Sequence, residues 1–228
     1  MFKLILLRHG QSQYNLENRF TGWYDVDLSD KGRQEAAQAG DKIKAAGLEP
    51  RYYFTSYLKR AIHTLQIVAD RLDRDWVPVR KDWHLNERHY GALQGLNKAD
   101  TAARYGAEQV HTWRRSFDVQ PPALKPNDTR FPGFDPRYAE LSDDELPLTE
   151  SLADTIRRVD PCWQECIEPT LRLYGTVLVV AHGNSLRGLV MRLLDISPTD
   201  IVSLEIPTGA PWVFLLDDRM KVVKNYYL

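Results

Sequence analysis

The strongest constraint on this chain is a pattern it carries twice: a short apolar run that breaks directly into His-Gly. Leu4-Ile5-Leu6-Leu7 runs into Arg8-His9-Gly10, and Val177-Leu178-Val179-Val180-Ala181 runs into His182-Gly183-Asn184. Such runs, bounded by a turn-prone glycine, read as buried strands of an α/β sheet. Each histidine then stands at the carboxyl end of its strand, the edge where open α/β sheets bind ligands. One junction alone is more readily a satisfied loop histidine, but two predict a pair of imidazoles on one sheet edge. Gly10 is expected to let the backbone turn sharply and a ligand approach closely. Arg8 beside His9 argues for an anion: a guanidinium fork matches phosphate oxygens, whereas a neighbouring cation opposes a metal.

The rest of the chain fits one α/β unit. Ser29 is placed to cap a helix carrying Ala36, Ala39 and Ile43, which Gly47 stops. Tyr52–Thr55 reads as a second strand, with Ser56 as the next cap. Leu58, Ala61, Ile62, Leu65, Val68, Ala69 and Leu72 form a stripe that should face the sheet. Arg60 lies in the first turn of that helix, near the ligand edge; His63, one turn later, reads as a surface or packing residue. Trp76–Val79 is predicted as a short third strand. Residues 82–97 are irregular and rich in hydrogen-bonding groups, and so long a loop is usually functional. Helices are predicted over 98–105 and 107–116, then a proline-rich excursion over 120–148. A helical segment from Thr149 or Ser151 to about Leu173 should be kinked or divided by Pro161 and Pro169. A helix starting at Asn184 or Ser185, a Ser197-Pro198 start and a hairpin over 211–226 close the chain. The expectation is a single domain over 1–228, a three-layer α/β/α sandwich around a mostly parallel sheet, with an inserted lid-like region at about 82–150.

Composition removes several classes of function. With 30 basic and 31 acidic residues the net charge is −1, so neither a nucleic-acid-coating surface nor a polybasic membrane patch is expected. Cys162 and Cys166, spaced i,i+4, read as reduced thiols rather than a disulfide or zinc site. The apolar run after Lys3 is too short for a signal peptide, and no stretch approaches a membrane span. A cytoplasmic protein is therefore expected. Aromatics around 52–83 hint at a homodimer or higher homo-oligomer surface, with core packing the alternative use of most of them.

If the strands at 3–7, 52–55 and 176–181 are parallel neighbours, Arg8, His9, Arg60 and His182 converge on a tetrahedral-anion pocket. The two cations should lower both imidazole pKa values. A neutral imidazole is a nucleophile, which phosphoryl transfer through a phosphohistidine needs, and arginines can carry the charge with no metal. Transfer to or from a hydroxyl needs a proton carrier. Glu87 is one candidate, with a pKa expected to be raised by phosphate charge; pairing with Arg88 is its alternative use. His89 and Tyr90 could equally be structural.

Leu6-Leu7-Arg8-His9-Gly10-Gln11-Ser12 with Tyr14-Asn15 resembles the signature of the histidine phosphatase superfamily. Phe20–Trp23, Leu58–Ala61, the block Leu85–Lys98, Trp113–Arg115 and Ala181–Ser185 further resemble the 2,3-bisphosphoglycerate-dependent phosphoglycerate mutases, collinearly from Met1 to Leu228. The resemblance implies a histidine phosphatase-like fold and interconversion of 3-phosphoglycerate and 2-phosphoglycerate, primed by 2,3-bisphosphoglycerate and independent of metal. It implies that His9 is the phosphorylated nucleophile and Glu87 the proton donor and acceptor. Arg8, Arg60 and His182 would hold the transferring group, with Asn15, Gly183 and Asn184 completing that pocket. Thr21, Gly22, Tyr90, Lys98, Arg114 and Arg115 would bind the carboxylate and second phosphate. Two departures stand out: Gln11 replaces a glutamate found in many members, and longer members continue beyond the equivalent of Leu228 into a tail that helps close the site. Closure keeps water from a reactive phosphoryl group, so both bear on transfer against hydrolysis. The alternatives are a phosphatase or bisphosphoglycerate synthase of the same fold, and a non-catalytic binder of phosphorylated ligands.

Overall fold

The computed structural model describes residues 1–228. In chain order its elements are β1 (Phe2–Arg8), α1 (Gln13–Leu16), α2 (Asp30–Ala45), β2 (Tyr52–Thr55), α3 (Lys59–Leu72) and β3 (Val79–Lys81). There follow α4 (Lys98–Tyr105), α5 (Ala107–Arg115), α6 (Leu152–Cys162), α7 (Glu168–Tyr174) and β4 (Thr176–Ala181). The chain ends with α8 (Gly183–Leu194), α9 (Pro198–Ile201), β5 (Trp212–Leu216) and β6 (Val222–Tyr227).

The strands form one sheet in the order β3-β2-β4-β1-β5-β6. Its first four strands are mutually parallel, and the terminal hairpin adds to β1 antiparallel. Strand periodicity sorts the core into two layers. Ile5, Leu7, Tyr53, Leu178 and Val180 pack against Ala39 and Ile43 of α2 and Ala61, Leu65 and Val68 of α3. Leu4, Leu6, Phe54, Val177 and Val179 pack on the other face against residues of α6, α7 and α8. The register pairs Arg8 with Ala181, so His9 and His182 follow their strands at the same level. No helix is long and apolar enough to cross a membrane.

Local chemistry explains most boundaries. The Ser29 hydroxyl accepts from Gly32 N, Asp30 lies in the first turn of α2 and Lys42 and Lys44 in its last. Ser151 caps α6, and Ser197 caps α9 with Pro198 in its first turn. Pro161 and Pro169 flank a π-helical turn at Trp163–Ile167, so the predicted long helix is divided rather than merely kinked.

Four local expectations are corrected. The third strand is Val79–Lys81, with Trp76–Pro78 leading into it. Leu58, not Ser56, occupies the cap position of α3, and the first helical amide, Lys59 N, donates to Asp25 Oδ1 at 2.7 Å instead. Helix α8 starts at Gly183 with His182 as its N-cap residue. Gly10 does not adopt a positive φ; a Cβ there would lie 2.1 Å from the Gly32 carbonyl oxygen. The approach of the α2 N-terminus therefore already demands glycine at this position.

The region 82–150 is built of short turns around α4 and α5. Trp23, Trp83, Tyr138 and Leu146 form one small cluster beneath it, and Phe20, Leu93 and Val110 another. Among the aromatics of 52–83, Tyr53, Phe54 and Trp83 are buried, whereas Trp76 is 74% exposed.

Candidate active site

Strand β1 delivers His9 to the carboxyl edge, where its amide donates to Ala181 O at 3.0 Å. The ring is 2% exposed, and its Nδ1 lies 2.6 Å from Gly10 O. A carbonyl oxygen only accepts, so Nδ1 carries the hydrogen and Nε2 keeps a lone pair. Arg60 Nε donates to that lone pair at 3.3 Å. Burial, then Arg60 and Arg8, hold the His9 pKa well below the usual histidine value. This neutral imidazole has the tautomer that a phosphoryl acceptor at Nε2 requires.

His182 stacks obliquely on His9, ring centroids 4.9 Å apart. Its Nε2 lies 2.7 Å from Ser56 Oγ. Burial, Arg60, His9 and Arg8 keep it neutral too. Arg60 is buried and clamped to the carbonyls of Gly22 (2.7 Å) and Tyr24 (3.1 Å). Burial lowers its pKa to about 10, against the raising effect of Glu87 and Asp25, so it stays a cation at neutral pH. Arg8 is held by Ile206 O at 2.8 Å. Two buried nitrogens here, Arg8 Nε and His182 Nδ1, lack any hydrogen-bond partner, as befits a site for an anion with several acceptor oxygens.

Glu87 Oε1 accepts three N–H groups: Arg88 N at 2.9 Å, and Asn184 N and Nδ2 at 3.0 Å each. No protein donor reaches Oε2, which leaves that oxygen free to take and give a proton. Burial alone would push the carboxyl pKa up, but the Arg88 amide, Arg60, Arg8 and Asn184 together hold it below the usual value. The charges fixed around Glu87 are positive, so a rise has to come from a phosphoryl group bound beside it. Arg88 does not pair with Glu87; its guanidinium donates to the carbonyls of Trp113 and Arg114 and lies over the Tyr90 ring.

Above these groups lies a cleft open to solvent, about 660 Å³ of empty space. Arg8, Asn15, Thr21, Gly22, Glu87, Tyr90, Lys98, Arg114, Arg115, Gly183 and Asn184 all line it, while His9, Arg60 and His182 lie just beneath. Asn15 turns its Oδ1 back to Ser12 N, and a Cβ at Gly22 (φ +54°) would lie 2.1 Å from Gln94 Oε1. Arg19, Arg187 and Glu205 also line the cleft, and sequence reasoning missed them. Arg187 had one usable signal: it stands i,i+3 from Asn184 on α8, and its guanidinium donates to Asn184 Oδ1 at 3.0 Å. The walls carry six cations, Arg8, Arg19, Lys98, Arg114, Arg115 and Arg187, against the carboxylates of Glu87 and Glu205. His63 stands apart, 2.6 Å from Asp27. Cys162 and Cys166 are free and buried, and no group of three or more His, Cys, Asp or Glu is placed to hold a metal.

A parallel sheet whose carboxyl edge gathers two neutral imidazoles, a buried arginine and a buried carboxylate is arranged as a phosphoryl-transfer site. Residues 4–227 match the model of the histidine phosphatase superfamily (branch 1), and the chain belongs to that family. Among solved structures it is similar to a mycobacterial glucosyl-3-phosphoglycerate phosphatase in complex with VO3, at 26% identity over 94% of this chain and 93% of that one, TM-score 0.71. A putative α-ribazole-5′-P phosphatase from Escherichia coli shares the fold at 20% identity, covering 100% and 95% of the two chains, TM-score 0.74. Bacillus stearothermophilus YhfR does so at 23% identity over 96% and 93%, TM-score 0.71.

Proposed function

We propose that this chain interconverts 3-phosphoglycerate and 2-phosphoglycerate through a phosphohistidine on His9, primed by 2,3-bisphosphoglycerate. His9 Nε2 attacks a phosphorus of the bisphosphate; the P–N bond forms, the P–O bond to the glycerate breaks, and Glu87 Oε2 gives the leaving oxygen its proton. In reverse, Glu87 takes the proton of the free hydroxyl of a monophosphate, whose oxygen displaces His9 from phosphorus. Arg8, Arg60 and His182 stabilise the charge on the equatorial oxygens, the largest service an enzyme renders such a transfer. Lys98, Arg114 and Arg115 hold the ligand's other anionic group, and Asn15, Thr21, Gly22, Tyr90, Gly183 and Asn184 complete the contacts.

The observation that carries this reading is the second set of cations, Lys98 of α4 and Arg114 and Arg115 of α5, in the cleft that Arg8 and Glu87 line. A ligand whose only anionic group is the transferring phosphate has no use for it, whereas phosphoglycerates carry a carboxylate or a second phosphate as well. A phosphatase reading is favoured by the likeness to the glucosyl-3-phosphoglycerate phosphatase; there Glu87 would activate water against the same phosphohistidine. The two are separated by supplying 3-phosphoglycerate with trace 2,3-bisphosphoglycerate and following 2-phosphoglycerate and inorganic phosphate together. The mutase reading expects 2-phosphoglycerate in large excess, dependence on the bisphosphate, and loss of both in His9→Ala. Inorganic phosphate without 2-phosphoglycerate would establish the phosphatase instead.

A further inference from the structure

Glu205 is a carboxylate lining a cleft otherwise built for anions. Its position is imposed by its neighbours: Leu204 O accepts from Arg187 Nε at 2.8 Å and Ile206 O from Arg8 NH1 at 2.8 Å. The main chain on either side is therefore tied to two cleft arginines. From there Glu205 reaches Arg115 at 2.5 Å and comes within 3.9 Å of Arg187. The two arginines depend on it unequally. Arg187 is also fixed by Leu204 O and Asn184 Oδ1, whereas Arg115 has no other side-chain partner. Glu205 itself is 63% exposed, so little holds it in place besides Arg115. Arg115 and Glu205 also line a second hollow, with His111, Thr112, Ser116 and Ser203, so their ion pair stands as a partition between it and the cleft.

Building on the phosphoglycerate reading above, we infer that Glu205 is an internal competitor for the ligand's carboxylate. Its side chain occupies Arg115 until a carboxylate-bearing phosphate ester displaces it. The displacement exchanges one Arg–carboxylate pair for another, so it costs little for a phosphoglycerate. A phosphate ester without a carboxylate supplies no replacement and gains nothing at Arg115. Glu205 thus weakens only the ligands that must displace it, and holds the cleft's preference for a carboxylate below what a free Arg115 would give.

The test compares 3-phosphoglycerate with glycerol 3-phosphate, which lacks the carboxylate, by calorimetry in a His9→Ala background that cannot turn them over. Glu205→Gln is expected to tighten 3-phosphoglycerate relative to glycerol 3-phosphate by about two- to fivefold, the scale of one partly exposed ion pair. An unchanged or reduced ratio, with 3-phosphoglycerate still bound, would overturn the competitor role alone and make Glu205 a support for Arg115. Failure of 3-phosphoglycerate to bind with or without Glu205 would remove both this inference and the phosphoglycerate reading.

Discussion

His9 has one nitrogen to offer. The Gly10 carbonyl claims Nδ1–H, and burial with two neighbouring guanidiniums keeps the second proton off Nε2. Glu87 is the complementary case, with one oxygen saturated by three N–H donors and the other without a protein partner. Glu87→Gln is expected to lower phosphoglycerate turnover by about 10²–10⁴-fold, the usual contribution of a positioned acid–base group. Phosphorylation of His9 by p-nitrophenyl phosphate, whose leaving group needs no proton, should fall far less; equal losses in stopped-flow assays of both donors would remove Glu87 from proton transfer. At this scale the sequence was informative where chemistry sits beside a strand end. Arg8, His9 and His182 follow from the junctions, and Arg60 from its place in the first turn of a helix. Glu87 was one acid among many until a motif singled it out. Arg60 and Arg8, which hold its pKa down, are distant in sequence and meet it only in the fold. Arg187 was missed because an arginine in an otherwise apolar helix reads as surface.

The loop that carries Glu87 has little regular structure, so its rigidity must come from elsewhere. Arg158 of α6 supplies it: buried, it donates to the carbonyls of Trp83, His84, Asn86 and Glu87 and pairs with Glu150 at 2.6 Å. Glu150 in turn accepts from His89 N at 2.8 Å, and Trp23 Nε1 binds the Glu87 carbonyl at 2.6 Å. Arg158→Met leaves the buried Glu150 carboxylate without its counter-charge and the carbonyls of His84 and Asn86 without a donor. It should cost about 3–5 kcal/mol in chemical denaturation, with Lys restoring only part because it cannot fork; a loss below about 1 kcal/mol would mean that the loop is held some other way. No sequence signal marks this clamp, since Arg158 and Glu150 meet the loop only through tertiary folding. Strand β3 was displaced for a different reason. Its residues Val79, Arg80 and Lys81 are all exposed, so no apolar alternation marks them, and only pairing with β2 defines the strand. Ser56 follows a strand and reads as a cap; in the fold its hydroxyl accepts from Leu58 N at 3.1 Å and also meets His182.

Across the whole molecule the charges nearly cancel, at −1, while six cations concentrate in one cleft. The fold also keeps His9, His89 and His182 buried and uncharged; burial, then Arg158 and Arg130, bring His89 down to about 3. Their folded pKa values lie below the unfolded value of about 6.5, so the unfolded chain binds more protons under acid. Stability should therefore be complete above about pH 6.5 and fall as pH drops below it, by up to about 1.4 kcal/mol per pH unit for each histidine. Urea denaturation at pH 7.5, 6 and 5 reads this directly, and unchanged stability between pH 7.5 and 5 would contradict three neutral buried imidazoles. The central claim is narrower: His9 Nε2 is the atom that receives the phosphoryl group. Incubation of the full chain with 2,3-bisphosphoglycerate, followed by ³¹P–¹⁵N NMR and peptide mapping, should find an acid-labile, base-stable phosphate bonded to Nε2 of His9. Phosphate on another residue, on Nδ1, or on none while turnover continues would contradict it.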